Sequence, residues 1–359
     1  MKINIENISL KSICAILFIS LFLSCNNSGE ESLADKGVGK GLNDIIADSR
    51  KVFLDAFLSF GDLLKDTFGI TATTTKSDIG GYFNKISETM KMVQEKLTSE
   101  IVEKAHYSKV KDEVNEFIGK LTKIEEGAKK AVKGATDSEV IGGVVKADAA
   151  GDSPSVESVK NLVEGIKGIV DGLVLKEGNA QTDKTDPAGT DKEDIGRLFG
   201  AQTSANQGAE AKHTAAASAS IGAVSGADIL KAIADVKFDA KKNGKVNEAN
   251  DAAALALAKG TGSGGDEKLG AAKKDAIIAA GIALRAMANK GKFIVKEADA
   301  KKTEAEGAKG VASSAVNKTL STLIIAIRNA VDTGLNKINE VLAMVKQEDK
   351  FIEATTSGQ

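Results

Sequence analysis

The chain has 359 residues, Lys+Arg 48 against Asp+Glu 50, 42% apolar residues, 4% aromatics, 2 Pro and no Trp. Balanced charge excludes the basic excess of a nucleic-acid binder, and scarce Pro with 36 Gly favours long helices, frequently interrupted, over sheet. Two Cys and two His, His106 and His213, leave too little for a metal cage, a disulfide framework or an imidazole active site, so no enzyme, cofactor or metal centre is expected.

The first element is a leader. Lys2 and Lys11 precede an apolar run from Ile13 to Leu23, too short to cross a bilayer core but of the size of an export segment. It ends at Ser24 and Cys25, followed at once by polar Asn26, Asn27 and Ser28. This resembles a bacterial lipobox, with Phe22 where the commonest form has Leu. The competing reading is a chance cysteine in a leader cut elsewhere, although no other small-residue cleavage pattern stands nearby. In the lipobox reading Cys25 becomes the new N-terminus, an S-diacylglycerol cysteine that is also N-palmitoylated. Cys14 leaves with the leader, so no disulfide forms. Each buried methylene contributes about 0.8 kcal/mol, so two or three chains anchor durably. Residues 1–24 are then a signal peptide, 25–41 the lipidated N-terminus and a Gly-rich tether, 42–354 a single helical domain, and 355–359 a disordered tail.

Apolar positions at Leu42, Ile45, Ile46, Val52, Phe53, Ala56, Phe57, Phe60, Leu63, Leu64 and Phe68 predict a long amphipathic helix. After a break at 71–77, further stripes run from Ile79 to Ile101 and from Val110 to Val132. Short connections predict antiparallel neighbours. Ser153 and Pro154 open another helix, through Val156 to Leu173. The stretches 176–194, 239–250 and 260–268 are polar and are expected to be exposed loops. They alternate with Ala-rich helices over 209–223 and 249–259 that should be thin and weakly held, because Ala buries little area. Asp275–Asn289 is apolar on nearly every side apart from Arg285, which predicts an interior helix whose Arg285 needs a carboxylate or carbonyl partner. A last stripe runs from Val316 to Val345. The fold class expected is all-α: an elongated helical bundle whose terminal helices, of comparable length at about 45 Å each, pack together, with a loop-rich distal end.

Positions that invite a chemical reading do not form sites. The glycines at 260, 262, 264 and 265 lack the Lys-Ser/Thr and preceding strand of a phosphate loop. His106 and His213 have no second ligand at helical spacing and read as ordinary polar positions. Lysine doublets at 129–130, 241–242, 273–274 and 301–302 are interleaved with Asp and Glu and read as solvated faces, with convergence on a polyanion as the alternative.

Four blocks, with the leader, resemble a known family: Phe60–Gly69 (FGDLLKDTFG), Gly196–Gly200 (GRLFG), Ala223–Leu230 (AVSGADIL) and Lys273–Val295. In this order they resemble the variable large proteins of relapsing-fever Borrelia, and the last is similar to a block of the related Lyme spirochaete antigen VlsE. The resemblance implies an outer-membrane lipoprotein facing the extracellular side, acylated at Cys25. It also implies expression one allele at a time, so that replacement by a distinct sibling evades host antibody. Its partners are then outer-membrane lipid and host antibodies. The polar stretches are where allele-specific epitopes are expected. The second reading is an adhesin that binds a host ligand, such as a glycosaminoglycan, through the distal surface.

Overall fold

The computed structural model describes residues 42–356 apart from 68, 104–106, 147–152, 174, 176, 186–189, 201–207, 239–243, 260–266 and 300–301. The first helix, α1 (Leu42–Thr67), and the last, α10 (Thr303–Thr356), lie antiparallel. The hydroxyl of Ser49 donates to Oδ1 of Asn339 at 2.9 Å, whereas Ile70, just past α1, lines a groove with Ser313 and Asn317. Ile45, Ser49, Val52, Ala56 and Phe60 face α10 and its neighbours and are buried, as their spacing of three and four residues requires.

The two helices are not of comparable length. At 26 and 54 residues they span about 39 and about 81 Å. The sequence reading started the last stripe at Val316, but helix begins at Thr303. The early turns bury Ala305, Ala308, Ala312 and Ala315, residues too small to produce a strong stripe. They admit close approach: a Cβ on Gly307 would lie 2.2 Å from Oγ1 of Thr214. The segment Thr303–Lys346 has the length and apolarity of a membrane-crossing helix, yet its apolar face is covered by α1 and the helices of the centre.

The hairpin array expected after α1 is present as α2 (Lys76–Leu97) and α3 (Ser108–Val132), followed by α4 (Val156–Leu173). Thr75 starts α2 with a capping box: its hydroxyl accepts the Asp78 N–H at 3.1 Å, and the Asp78 carboxylate accepts the Thr75 N–H at 2.9 Å. A π turn over Thr98–Val102 ends it. The α3–α4 contact rests on glycine: a Cβ on Gly165 would lie 2.5 Å from the Ala131 nitrogen, and one on Gly127 would lie 2.6 Å from the Gly165 oxygen. Backbones this close leave no room for side chains.

The centre is built on α9 (Asp275–Met287), every residue of which is buried. Around it pack α6 (Ala211–Ala223), α7 (Gly226–Ala234), α8 (Ala252–Leu257), α10 and α4. The interior placement expected for this helix is met. The thin packing expected of the Ala-rich segment 249–259 is not: Ala252, Ala253, Ala256 and Ala258 are fully buried, and Leu255 packs against Gly281. Small side chains bury little area each, but here they bring two backbones together.

Among the described residues, two short strands interrupt the helical pattern. Val144–Lys146 (β1) pairs in parallel with Phe293–Val295 (β2), in register Val145 to Ile294. Three-residue strands carry no readable periodicity, so the sequence did not announce them.

Candidate functional site

Cys25, the rest of the leader and tether, and the end of the tail lie outside the described residues, as does His106. The region that can be built residue by residue is the one from which the polar stretches depart. Their flanks are held on the helical frame and are not free loops.

The stretch 176–194 was expected to be an exposed loop, and Glu177 to Asn179 are exposed. Its later part is anchored, and it contains a short helix, α5 (Thr190–Glu193). Asp275, at the first turn of α9 and fully buried, accepts the backbone N–H groups of Lys184 at 2.6 Å and Thr185 at 2.7 Å. It also accepts the Thr185 hydroxyl at 2.6 Å and stands 2.9 Å from Nζ of Lys192. Lys192, itself buried, also donates to Asp183 at 2.5 Å, and Lys274 reaches Asp183 at 3.0 Å. Burial pushes the Asp275 carboxyl up, but the bonds from Thr185, Lys192 and Lys184 outweigh it and hold it at about 2. In Lys192 burial acts against the charge and the two carboxylates overcome it, so its ammonium is held above the ordinary range.

The other stretches are fixed in the same manner. The end of 239–250 forms a 3-10 turn, Val246–Glu248, with Val246 buried, and Lys259 donates its N–H to the Gly244 carbonyl at 3.2 Å. Beyond 260–266, Glu267 is buried and Leu269 donates to the Glu193 carbonyl at 2.8 Å. A Cβ on Gly196 would sit 2.1 Å from the Glu267 oxygen, which accounts for glycine in the GRLFG block. Arg197 of that block lies 3.6 Å from Glu267 and 3.7 Å from Asp194.

Arg285 finds carbonyl partners. Its Nε donates to the oxygen of Lys292 at 2.7 Å, and one Nη donates to those of Ala256 and Ala258 at 2.9 and 3.0 Å. The guanidinium stands 5.7 Å from the centroid of the Phe199 ring, another residue of the GRLFG block. Two of the four sequence blocks, Gly196–Gly200 and Lys273–Val295, therefore meet at one buried cation. Sequence reasoning missed Lys76, which is fully buried and donates to the Gly291 carbonyl at 2.8 Å and to Glu139 at 3.3 Å. Burial depresses its ammonium, with Asp137 and Glu139 acting in the other direction. His213 is no ordinary polar position either: it is buried at the start of α6.

Among the described residues, three of the doublet lysines pair with acids of the chain. Lys129 pairs with Glu125 at 2.5 Å, Lys130 with Glu164, and Lys274 with Asp183. Lys241, Lys242 and Lys301 lie outside the described residues. Among the described residues no group of three His, Cys, Asp or Glu side chains could hold a metal ion.

Comparison with known proteins settles the family. The family model described as Borrelia lipoprotein matches residues 53–342. The chain belongs to the Borrelia lipoprotein family. Within it, this lipoprotein is 46% identical to variable large protein 4 of Borrelia hermsii over 98% of this chain and 99% of that one. It is 50% identical to variable large protein 17 of the same organism, over 97% of each. Its fold is similar to the crystal structure of the Lyme disease variable surface antigen VlsE of Borrelia burgdorferi. The TM-score is 0.68 at 30% identity, covering 84% of this chain and 98% of that one. The resemblance drawn from the four blocks is thus met by end-to-end relatives, and the helical class by a solved structure.

Proposed function

We propose that this Borrelia lipoprotein is an antigenically variable coat protein of the outer membrane. In this reading it is anchored by acyl chains on Cys25, faces the extracellular side, and is expressed one allele at a time so that its replacement evades host antibody. The observation that carries the reading is the end-to-end similarity to variable large proteins, at 46% and 50% identity.

The architecture supports it. The start of α1 lies beside the late turns of α10, and Cys25 precedes Leu42 by 17 residues of sequence. The flanks of 186–189, 201–207 and 260–266 are linked elsewhere, around α5, the turn Asp194–Leu198 and the start of α6, whereas Phe238, just before 239–243, lies beside Val163 and Lys167 of α4. Lys212 lies 3.6 Å from Asp191, and Gly307 near the first turns of α10 meets Thr214. A frame that pins loop bases with buried ion pairs tolerates substitution between them, which is what an antigen changing under antibody pressure requires. The polyanion-binding adhesin is less favoured, because Lys129, Lys130 and Lys274 of the doublets each engage an acid of their own chain.

Two measurements test this reading. Cys25→Ser should abolish labelled palmitate incorporation and move the protein from the detergent to the aqueous phase; identical partition of variant and native protein would overturn the anchor. Protease applied to intact cells should degrade the protein while a periplasmic marker survives. Resistance on cells with an intact outer membrane would overturn surface display.

A further inference from the structure

The start of α6 is held by an imidazole. The backbone N–H of Glu210 donates to Nδ1 of His213 at 2.9 Å, so Nδ1 is an acceptor and the proton of the neutral ring sits on Nε2. His213 is 2% exposed, and its Nε2 makes no hydrogen bond. Oδ2 of Asp194 stands 3.8 Å from it, too far for one. In this position a glutamate or glutamine normally closes the cap, and neither changes charge near neutral pH as an imidazole does.

What the cap holds is more than one turn. Ala209, immediately before it, donates to the Ile294 carbonyl at 3.2 Å and accepts the Lys296 N–H at 3.0 Å, which ties the chain to β2. A Cβ on Gly208 would lie 2.3 Å from the Val295 carbonyl carbon, and Thr214 packs on Gly307 of α10. The start of α6 is therefore the joint between the small sheet, the last helix and the segment 201–207.

We infer that His213 is an acid-sensitive latch: uptake of a proton at Nδ1 removes the acceptor for the Glu210 N–H, puts a charge in the interior, and releases the first turn of α6 with the Ala209 bridge to β2. The groups facing the ring act in both directions. From the 3-10 turn Asp194–Leu198, Asp194 favours the proton and Arg197, with Glu267 behind it, opposes it. On its own element Lys212 opposes it and Glu210, bridged to Lys296 at 3.4 Å, favours it. The charges of α9, Asp275 and Arg285, are engaged with Lys192 and with carbonyls, and on α10 Glu306 is paired with Lys309. Burial is the largest influence and holds the imidazole below its ordinary range. The sign follows: the latch contributes its full stability above the unfolded value near 6.5 and loses it as pH falls toward the lower folded value.

Hydrogen exchange at the amides of 209–215, corrected for intrinsic rates and referred to those of α9, tests the latch between pH 7.4 and 5.0. One proton taken up on opening raises the open population by up to about tenfold per pH unit, so selective acceleration of 209–215 is expected. His213→Gln, whose carboxamide oxygen can still accept the Glu210 N–H, should lose the acceleration. Uniform exchange across the pH range in the native chain, or acceleration retained in His213→Gln, overturns the inference. Should that variant fail to fold, the native imidazole resonances answer the question. Both histidines titrating at the value of a solvated imidazole, with 209–215 still protected, overturns it as well.

Discussion

The carboxylate of Asp275 and the ammonium of Lys192 lie 2.9 Å apart, the first fully buried and the second nearly so. Neither could stay charged there alone. Together with Asp183 and the N–H groups of Lys184 and Thr185 they join the first turn of α9 to a stretch of polar sequence that would otherwise leave the frame.

Asp275→Asn keeps the shape but removes the charge and turns an amide N–H₂ toward N–H donors. The loss expected is about 3 kcal/mol, typical of a buried ion pair deprived of one partner. Urea unfolding should show the midpoint falling with the slope unchanged, and a midpoint within error of the native chain would refute the account.

Acid should find the same joint. The Asp275 carboxyl is held at about 2, against about 3.9 in an unfolded chain, so its contribution is complete above about pH 4 and disappears as pH falls toward about 2. The pair of values corresponds to roughly 2 to 3 kcal/mol. Thermal midpoints between pH 5 and 2 should fall more steeply in the native chain than in Asp275→Asn, and parallel curves would sink the assignment.

Arg285→Lys is not conservative here. One ammonium cannot serve carbonyls on two sides, so the oxygens of Ala256, Ala258 and Lys292 compete for it and some stay unsatisfied. The expected cost is about 2 to 3 kcal/mol. The near-ultraviolet signal of Phe199, beside the guanidinium, should change as well. Unaltered stability would show that the guanidinium geometry is not needed.

Two glycine substitutions on packed helices should have opposite signs. Gly165→Ala drives a methyl into the Ala131 backbone and should destabilise by about 1 to 3 kcal/mol. Gly119→Ala, on α3 with nothing within 4 Å of its Cβ, should stabilise by up to about 1 kcal/mol through helix propensity. Thermal unfolding of both decides; equal shifts would mean that propensity and not helix contact governs Gly165.

Much of this arrangement was legible in the residues. The stripes at Ile79, Phe83, Ile86 and Met90, and at Val110, Val114, Phe117 and Leu121, predicted buried faces that the helices present. The girth of α9 predicted its interior place, and a lone Arg285 within it predicted a carbonyl or carboxylate partner. What went unread were small or polar residues. Ala305 to Ala315 extend the last helix without an obvious stripe, and Lys76, Lys192 and His213 look like surface residues until their partners are known.

Periodicity and composition by themselves determined that this chain is helical, where most helices lie and which one is innermost, because burying apolar surface on a 3.6-residue repeat is a local demand. Only the folded chain decided which carboxylate receives Lys192, which carbonyls receive Arg285, that Val144–Lys146 lies beside Phe293–Val295, and that an imidazole closes the start of α6. Apart from the imidazole, which closes its own helix turn, those contacts join residues far apart along the chain. Their energies depend on distance and exclusion of water, which no stretch of sequence contains until the chain has folded.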